Sequence, residues 1–432
     1  MNGKSSISET KKNFKENNLL LEIISQLENA AFISAQLSLL EGLVQGRAAQ
    51  ETVQMAEEIM QRYYSPTVYR KLSLGINDSC NLRCAHCFYA STHAPRQGLK
   101  KKSSLSPEEW ENLVDEALAL GTQAIILEGK EPLLSPELTF ALLAQLSDAR
   151  KDHPDLQYDL LTNGTLLNKE YATQLARYQP SHVIVSIDGD EKYHDALRGS
   201  GSYTRAREGI RQASLAGVKN LAVTYVAMPA TIHSLRKMIC DFAPLGVQHF
   251  GIGLFFSTEY NRGISPRAGI IEQLCEEIES VARDKDAAKS FFSIHVSAKE
   301  HPAFVADLYK RGMITPDSVV IPKERNHRLL IPVLENPKTV LALEILPFAF
   351  YNKLRIEPDG AVGGDYRMVT DFISRKGVGN LRNVGNIQQL RTLAEAWKQA
   401  SKEWAAEAIK YYISLNEAFA HNQNQERGGS IA

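Results

Sequence analysis

Between Val68 and Phe256 the sequence alternates short apolar runs with longer helical stretches about six times, and this rhythm limits the fold more than any other feature. Candidate strands are Tyr69 to Ile76, Gln123 to Leu127, Tyr158 to Leu161, Val183 to Ile187, Leu221 to Val226 and Phe250 to Phe255. The helices between them have legible starts. Ser106-Pro107-Glu108-Glu109 offers a cap at Ser106, proline at the first helical position and a glutamate where a capping box needs one. Ser135-Pro136-Glu137 repeats that chemistry, Asn168 caps a third helix running to Tyr178, and Ser202 or Tyr203 opens a fourth that stops at Gly217. The alternation predicts an α/β architecture with a parallel sheet and right-handed crossovers, open or closed into a barrel. Ligands of such sheets bind at the carboxyl ends of the strands, where this chain has polar, glycine-rich turns.

The flanks read differently. From about Asn17 to Tyr64 the texture is helical, with Leu20, Ile23, Ile24 and Leu27, then Met55, Ile59 and Met60, at three- and four-residue intervals; Gly42 and Gly46 divide it into two helices. The first dozen or so residues are polar, and Ser91 to Ser104 reads as an exposed loop. Beyond Phe256 a helix from about Pro266 to Arg283 gives way to an irregular region. A hairpin follows over Leu354-Arg-Ile-Glu-Pro-Asp-Gly-Ala-Val, turning at Pro358-Asp359-Gly360, and a helix from about Ile387 to Ala418 precedes a polar tail. The expected division is an N-terminal helical extension (1–66), a core (67–290) and a C-terminal region (291–432).

Forty-nine Lys and Arg against fifty Asp and Glu leave a formal charge of -1, so nucleic acid and anionic membranes are not expected partners. The first apolar run, Leu19 to Leu21, is broken by Glu22 and makes no secretory signal, and no stretch has the ~18 apolar residues of a membrane span. A reducing, cytoplasmic location is expected, because the chain has five cysteines and three of them, Cys80, Cys84 and Cys87, crowd one loop.

That loop, Cys80-Asn-Leu-Arg-Cys84-Ala-His-Cys87, directly follows the first candidate strand. Three thiolates at this spacing can hold three irons of a 4Fe-4S cluster and leave the fourth iron open. A zinc site is the competing reading, although zinc wants four ligands and His86, between two of the cysteines, cannot easily complete a tetrahedron. Three unrelated buried cysteines are the other alternative.

The loop resembles the signature of the radical S-adenosylmethionine superfamily, in which the residue before the third cysteine is usually aromatic; His86 occupies that place. Leu127-Glu-Gly129-Lys130-Glu131-Pro132 resembles that superfamily's Gly-Gly-Glu-Pro motif, with Lys130 replacing the middle glycine. Leu161-Thr162-Asn163-Gly164 and Val185-Ser186-Ile187-Asp188-Gly189, continuing to Arg198-Gly199, follow in the expected order. The resemblance implies a partial (β/α)6 TIM-like barrel. It further implies that Cys80, Cys84 and Cys87 ligate three irons while S-adenosylmethionine chelates the fourth. Glu131 and the backbone near Gly129 would receive its amino group, Arg198 would pair with its carboxylate, Ser186 would hydrogen-bond nearby, His86 would pack near adenine, and Asn163 would line the wall. These assignments suit the donors and acceptors involved, since an ammonium needs acceptors and a carboxylate suits a guanidinium fork. For Glu131 a helix-terminal charge, and for Arg198 an exposed ion pair, are the competing readings.

The C-terminal hairpin, with Gly385-Asn386-Ile387, resembles the SPASM or twitch extension of peptide-maturing members. Asp365 stands near the place of the first auxiliary-cluster cysteine and no cysteine follows Cys275, so one 4Fe-4S cluster is expected and the extension is degenerate. The implied activity is reductive cleavage of S-adenosylmethionine to a 5'-deoxyadenosyl radical that abstracts hydrogen from a precursor peptide, with epimerisation or backbone excision as outcomes that need no second cluster. A flavodoxin or ferredoxin is the expected electron donor. Leader recognition falls to the N-terminal helices or to a separate protein. A radical enzyme acting on a small sugar or amino acid, and a zinc-stabilised binding protein, are the alternatives. Cys275 sits on an apolar helix face with Ile271, Leu274 and Ile278 and reads as packing. Cys240 is the first candidate for a hydrogen donor, with Tyr89 or Tyr366 in reserve.

Overall fold

A computed structural model describes residues 30–63, 71–87, 104–254, 269–281, 284–298, 301–315, 317–318, 329–332, 338–345, 353–364, 379–381, 413 and 417–421. The expected strands form β1 (Lys71–Gly75), β2 (Ala124–Glu128), β3 (Gln157–Thr162), β4 (His182–Ser186), β5 (Leu221–Ala227) and β6 (Val247–Leu254), each parallel to the next. With their intervening helices they make the partial (β/α)6 unit.

The sequence signals between the strands act as anticipated, with one exception. Ser106 Oγ accepts from the Glu109 N–H at 3.1 Å while Glu109 accepts from the Ser106 N–H at 2.6 Å, a complete capping box for helix Pro107–Ala119. Asn168 accepts from the Tyr171 N–H at 2.9 Å, and Gly217 ends helix Ser202–Ala216 in the left-handed region. Ser135 does not cap helix Pro136–Ala149 through its side chain; its hydroxyl accepts from Asn77 Nδ2 at 2.8 Å instead. In the N-terminal part, residues 30–45 and Ala49–Tyr63 are helical. Gly46, at φ 79°, separates them, whereas Gly42 lies within the first helix with Arg47 packed over it.

The largest correction lies beyond residue 290, in what reads as irregular sequence. Strands β7 (Phe291–Ser297), β8 (Leu329–Pro332) and β9 (Thr339–Glu344) extend the sheet past β6, and helix Pro302–Lys310 lies between β7 and β8 in the chain. The hairpin forms as expected from β10 (Lys353–Ile356) and β11 (Ala361–Gly364), with β12 (Gly379–Asn380) beside it. β10 pairs parallel with β1, giving the order β12-β11-β10-β1-β2-β3-β4-β5-β6-β7-β9-β8. The expected helix starting at Pro266 is seen from Ile270 to Val281, and residues 417–421 are helical. Asp365, Gly385 to Ile387, Tyr89 and Tyr366 lie outside the described residues.

The strand faces divide the work. Leu72, Leu74, Ile125, Leu127, Tyr158, Leu160, Val183, Val185, Tyr225, Phe250, Ile252 and Ile294 are buried against the helices, each contributing on the order of 1.5–3 kcal/mol for a large side chain. The opposite face is more open and more polar. There Ser186, Thr224 and Gly251 lie in one register row, which continues into the buried Ser293 and Val340. Among the described residues no helix is long and apolar enough to cross a membrane.

Candidate active site

The site grows from the carboxyl ends of β1 to β5. The cysteine loop leaves β1 and is fastened on two sides: the Ala85 N–H donates to the Leu197 carbonyl at 2.8 Å, and the Cys87 N–H to the Cys84 carbonyl at 3.1 Å. Cys80 Sγ accepts from the Leu82 N–H at 3.4 Å and from Asn163 Nδ2 at 3.8 Å. The three thiols are half-buried and close enough to disfavour one another's ionisation. Burial raises the Cys84 thiol to about 11, against the pull of Arg198, and raises Cys80 as well. Among the described residues no three His, Cys, Asp or Glu side chains converge on one point tightly enough for a single metal ion. A cubic cluster puts each thiolate on its own iron and needs no such convergence. The donor set fits a 4Fe-4S cluster: three soft thiolates on one loop, N–H groups on sulfur, and a guanidinium alongside.

The turn after β2 meets this loop closely. Gly129 has φ 143°, and a Cβ there would stand 2.8 Å from the Asn77 carbonyl oxygen, so the position requires glycine. Lys130 keeps a negative φ and its Nζ lies 2.7 Å from Asp78 Oδ1, which settles where this departure from the motif directs its charge. Glu131 is fully buried. Its Oε1 accepts from the Leu133 N–H at 3.0 Å and the Thr162 hydroxyl at 2.6 Å, and Oε2 from the Asn163 N–H at 2.8 Å. Burial raises its carboxyl, with those three bonds and Arg198 opposing. Glu131 thus clamps the end of β3 to the β2 turn, and much of its accepting capacity is already used. Asn163 continues the stitching, donating to Asn81 Oδ1 at 2.9 Å and accepting from the Thr165 N–H at 2.9 Å.

Asp188, for which the sequence motif implies no role, organises the other side. It has no solvent exposure; its Oδ2 accepts from Arg198 Nε at 2.5 Å and from His86 Nε2 at 3.0 Å, and its Oδ1 from the Val226 N–H at 3.2 Å. Burial works to raise this carboxyl, but Arg198 and His86 override it and hold the group well below the usual carboxylate range. Arg198 is thereby buried beside Cys84 and Cys87, and His86 is held with its Nδ1 unbonded. The Asp188 N–H donates to His194 Nδ1 at 3.1 Å, and burial lowers His194 to about 4. Ser186, two residues before Asp188, is a half-buried position at the end of β4.

The structure thus brings together Cys80, Cys84, Cys87, His86, Gly129, Glu131, Asn163 and Arg198. Cys240 is not among them. Helix Leu235–Phe242 leads back from the end of β5 toward the start of β6, so Cys240 lies toward the opposite rim, in the outer layer. There it lines a surface groove of about 400 Å³ with Arg236, Lys237 and Glu277, which removes the basis for its hydrogen-donor role.

A family model described as the radical SAM superfamily matches residues 75–267, the span containing this site. Residues 75–267 are a radical SAM domain. That superfamily uses a 4Fe-4S cluster and S-adenosylmethionine. Among curated proteins, the chain is 34% identical over 143 residues to an AdoMet-dependent heme synthase of Methanosarcina barkeri (strain Fusaro / DSM 804), covering 33% of this chain and 38% of that protein. It is 29% identical over 168 residues to mycofactocin maturase MftC of Mycobacterium ulcerans (strain Agy99), covering 39% and 41%. The chain spans about a third to a half of the length of the curated relatives it matches. The radical SAM domain and its flanking strands share a fold with Streptococcus suis SuiB bound to precursor peptide SuiA, at TM-score 0.52 and 15% identity, covering 78% of this chain and 68% of that one.

Proposed function

We propose that the chain is a radical S-adenosylmethionine enzyme with a single 4Fe-4S cluster, and that its substrate is a ribosomally synthesised precursor peptide, modified by epimerisation or backbone excision. When bound, cluster and S-adenosylmethionine together supply a 5'-deoxyadenosyl radical able to take hydrogen from an unactivated C–H bond. The chain's residues provide the setting. Cys80, Cys84 and Cys87 would hold three irons. Arg198, oriented by Asp188 through Nε, would pair with the cosubstrate carboxylate, and the backbone around Gly129 would receive the amino group together with the capacity Glu131 retains. The half-buried strand face bearing Ser186, Thr224 and Gly251 is the wall against which substrate lies; strand glycines allow a ligand backbone to come close.

The observation that carries the peptide reading is the hairpin β10–β11. It resembles the extension of peptide-maturing enzymes and is joined to β1 next to the cysteine loop, with Arg355 paired to Glu128 just before Gly129. The similarity to mycofactocin maturase and the shared fold with SuiB support it. Relatives named for heme synthesis and as probable GTP 3',8-cyclases favour the second reading, a small-molecule substrate. A flavodoxin or ferredoxin is the proposed electron donor, and a separate protein the proposed leader-recognition partner.

The test is incubation of reconstituted enzyme with candidate precursor peptides in deuterated water. A mass gain of one deuterium indicates epimerisation and a loss of mass indicates excision. Unchanged peptides, with 5'-deoxyadenosine formation stimulated only by sugars, amino acids or other small molecules, would reject the peptide reading.

A further inference from the structure

We propose that Lys130, standing where the resembling motif has glycine, is a positioning residue that latches the cysteine loop to the turn after β2 through Asp78. The inference rests on the reading that Cys80, Cys84 and Cys87 hold a cluster. Lysine usually keeps its ammonium in water and is seldom buried. Here the Lys130 side chain is only 9% exposed, although Asp78, 2.7 Å from its Nζ, is 58% exposed. The long stem is packed away and the charge is brought to a carboxylate two residues before Cys80.

The position along the loop explains why such a contact is useful. Three bonds already join the two turns: Ile76 N–H to the Glu128 carbonyl at 3.0 Å, Lys130 N–H to the Asn77 carbonyl at 3.2 Å, and Asn77 Nδ2 to Ser135 Oγ at 2.8 Å. All three hold the stem of the loop at Ile76 and Asn77. The next residues turn outward, helped locally by the Ser79 N–H donating to Asn77 Oδ1 at 2.5 Å. The Lys130–Asp78 pair reaches past the stem and fixes the segment that delivers Cys80. A glycine at 130 has no atoms to do this, so the substitution adds a tether instead of merely being tolerated.

The test is iron retention by the full-length, anaerobically reconstituted chain, read as transfer of iron to a chelator such as bathophenanthroline. The Lys130→Gly and Asp78→Asn variants should each release iron about fivefold faster, as expected of a partly buried ion pair. Lys130→Arg should stay within about twofold of the parent, and Lys130→Glu combined with Asp78→Lys should recover most of the loss. A residue of merely structural importance would not be rescued by exchanging the charges. Parent-like retention in Lys130→Gly, or a charge-exchanged chain that releases iron as fast as the single variants, overturns the latch. A parent chain that takes up no iron overturns instead the reading of the loop on which the latch depends.

Discussion

Replacing Asp188 with Asn is the most revealing single change to this site. The carboxylate is fully buried and accepts from Arg198 Nε, His86 Nε2 and the Val226 N–H at 2.5, 3.0 and 3.2 Å. An asparagine can still accept from Val226 through its carbonyl. Its amide, however, would face two donors, and it would leave the buried Arg198 guanidinium without its hydrogen-bonded counter-charge. Breaking a buried pair from one side costs about 3–5 kcal/mol, far more than the pair's net contribution over apolar replacements. Asp188→Asn should therefore lower the stability of the apo chain by about 3–5 kcal/mol in anaerobic urea unfolding, seen as a lower midpoint at unchanged slope. Asp188→Leu combined with Arg198→Met removes both charges and should cost less than Asp188→Asn alone. His86 and Arg198 would also lose their orientation, so Asp188→Asn should bind S-adenosylmethionine more weakly once its cluster is rebuilt. A single variant within about 1 kcal/mol of the parent, or a double variant worse than the single, would refute the argument that Asp188 carries this side of the site.

Three further outcomes follow from the same geometry. Gly129→Ala, forced to φ 143° with its Cβ 2.8 Å from the Asn77 carbonyl, should cost at least ~2 kcal/mol and impair iron uptake, checked by unfolding and iron analysis. His194 is held near 4 by burial, below the ~6.5 of the unfolded chain, so the unfolded state binds the extra proton first; about 3 kcal/mol of stability present above pH 6.5 should be lost as pH falls toward 4, a slope that His194→Asn should reduce in pH-dependent unfolding. Arg355→Met, which takes the guanidinium away from the buried Glu128 carboxylate, should destabilise by up to about 3–5 kcal/mol, and adding Glu128→Gln should recover part of that in the same assay.

The parts of the fold legible in the sequence are those whose signals are local. The Ser106 capping box, the Asn168 cap and the Pro358-Asp359-Gly360 turn each act within a few residues, and the structure forms the corresponding helices and hairpin. The strands β7 and β8 were hidden for a different reason. In Phe291–Ser297 the period of two is blurred by the opening Phe291-Phe292, and β8 has four residues, so neither stands out without its neighbours. The site divides in the same way. The cysteine loop and Gly129 are read from contiguous residues, because a ligand spacing and a tight approach are both local demands. Asp188 is defined by His86 and Arg198 arriving from two other elements, and Lys130 by Asp78 more than fifty residues earlier. An acid directly after a strand and before Gly189 was the available signal for Asp188. For Cys240 an amphipathic stripe gave its helix face but not which rim of the sheet it approaches.

The most direct test of the account is the fate of S-adenosylmethionine on the anaerobically reconstituted, dithionite-reduced chain, followed together with iron content. About four irons per chain and formation of 5'-deoxyadenosine, both lost when Cys80, Cys84 and Cys87 are each replaced by Ala, is the predicted result. Tightly held zinc with S-adenosylmethionine left intact, or cleavage that survives loss of the three cysteines, would contradict it.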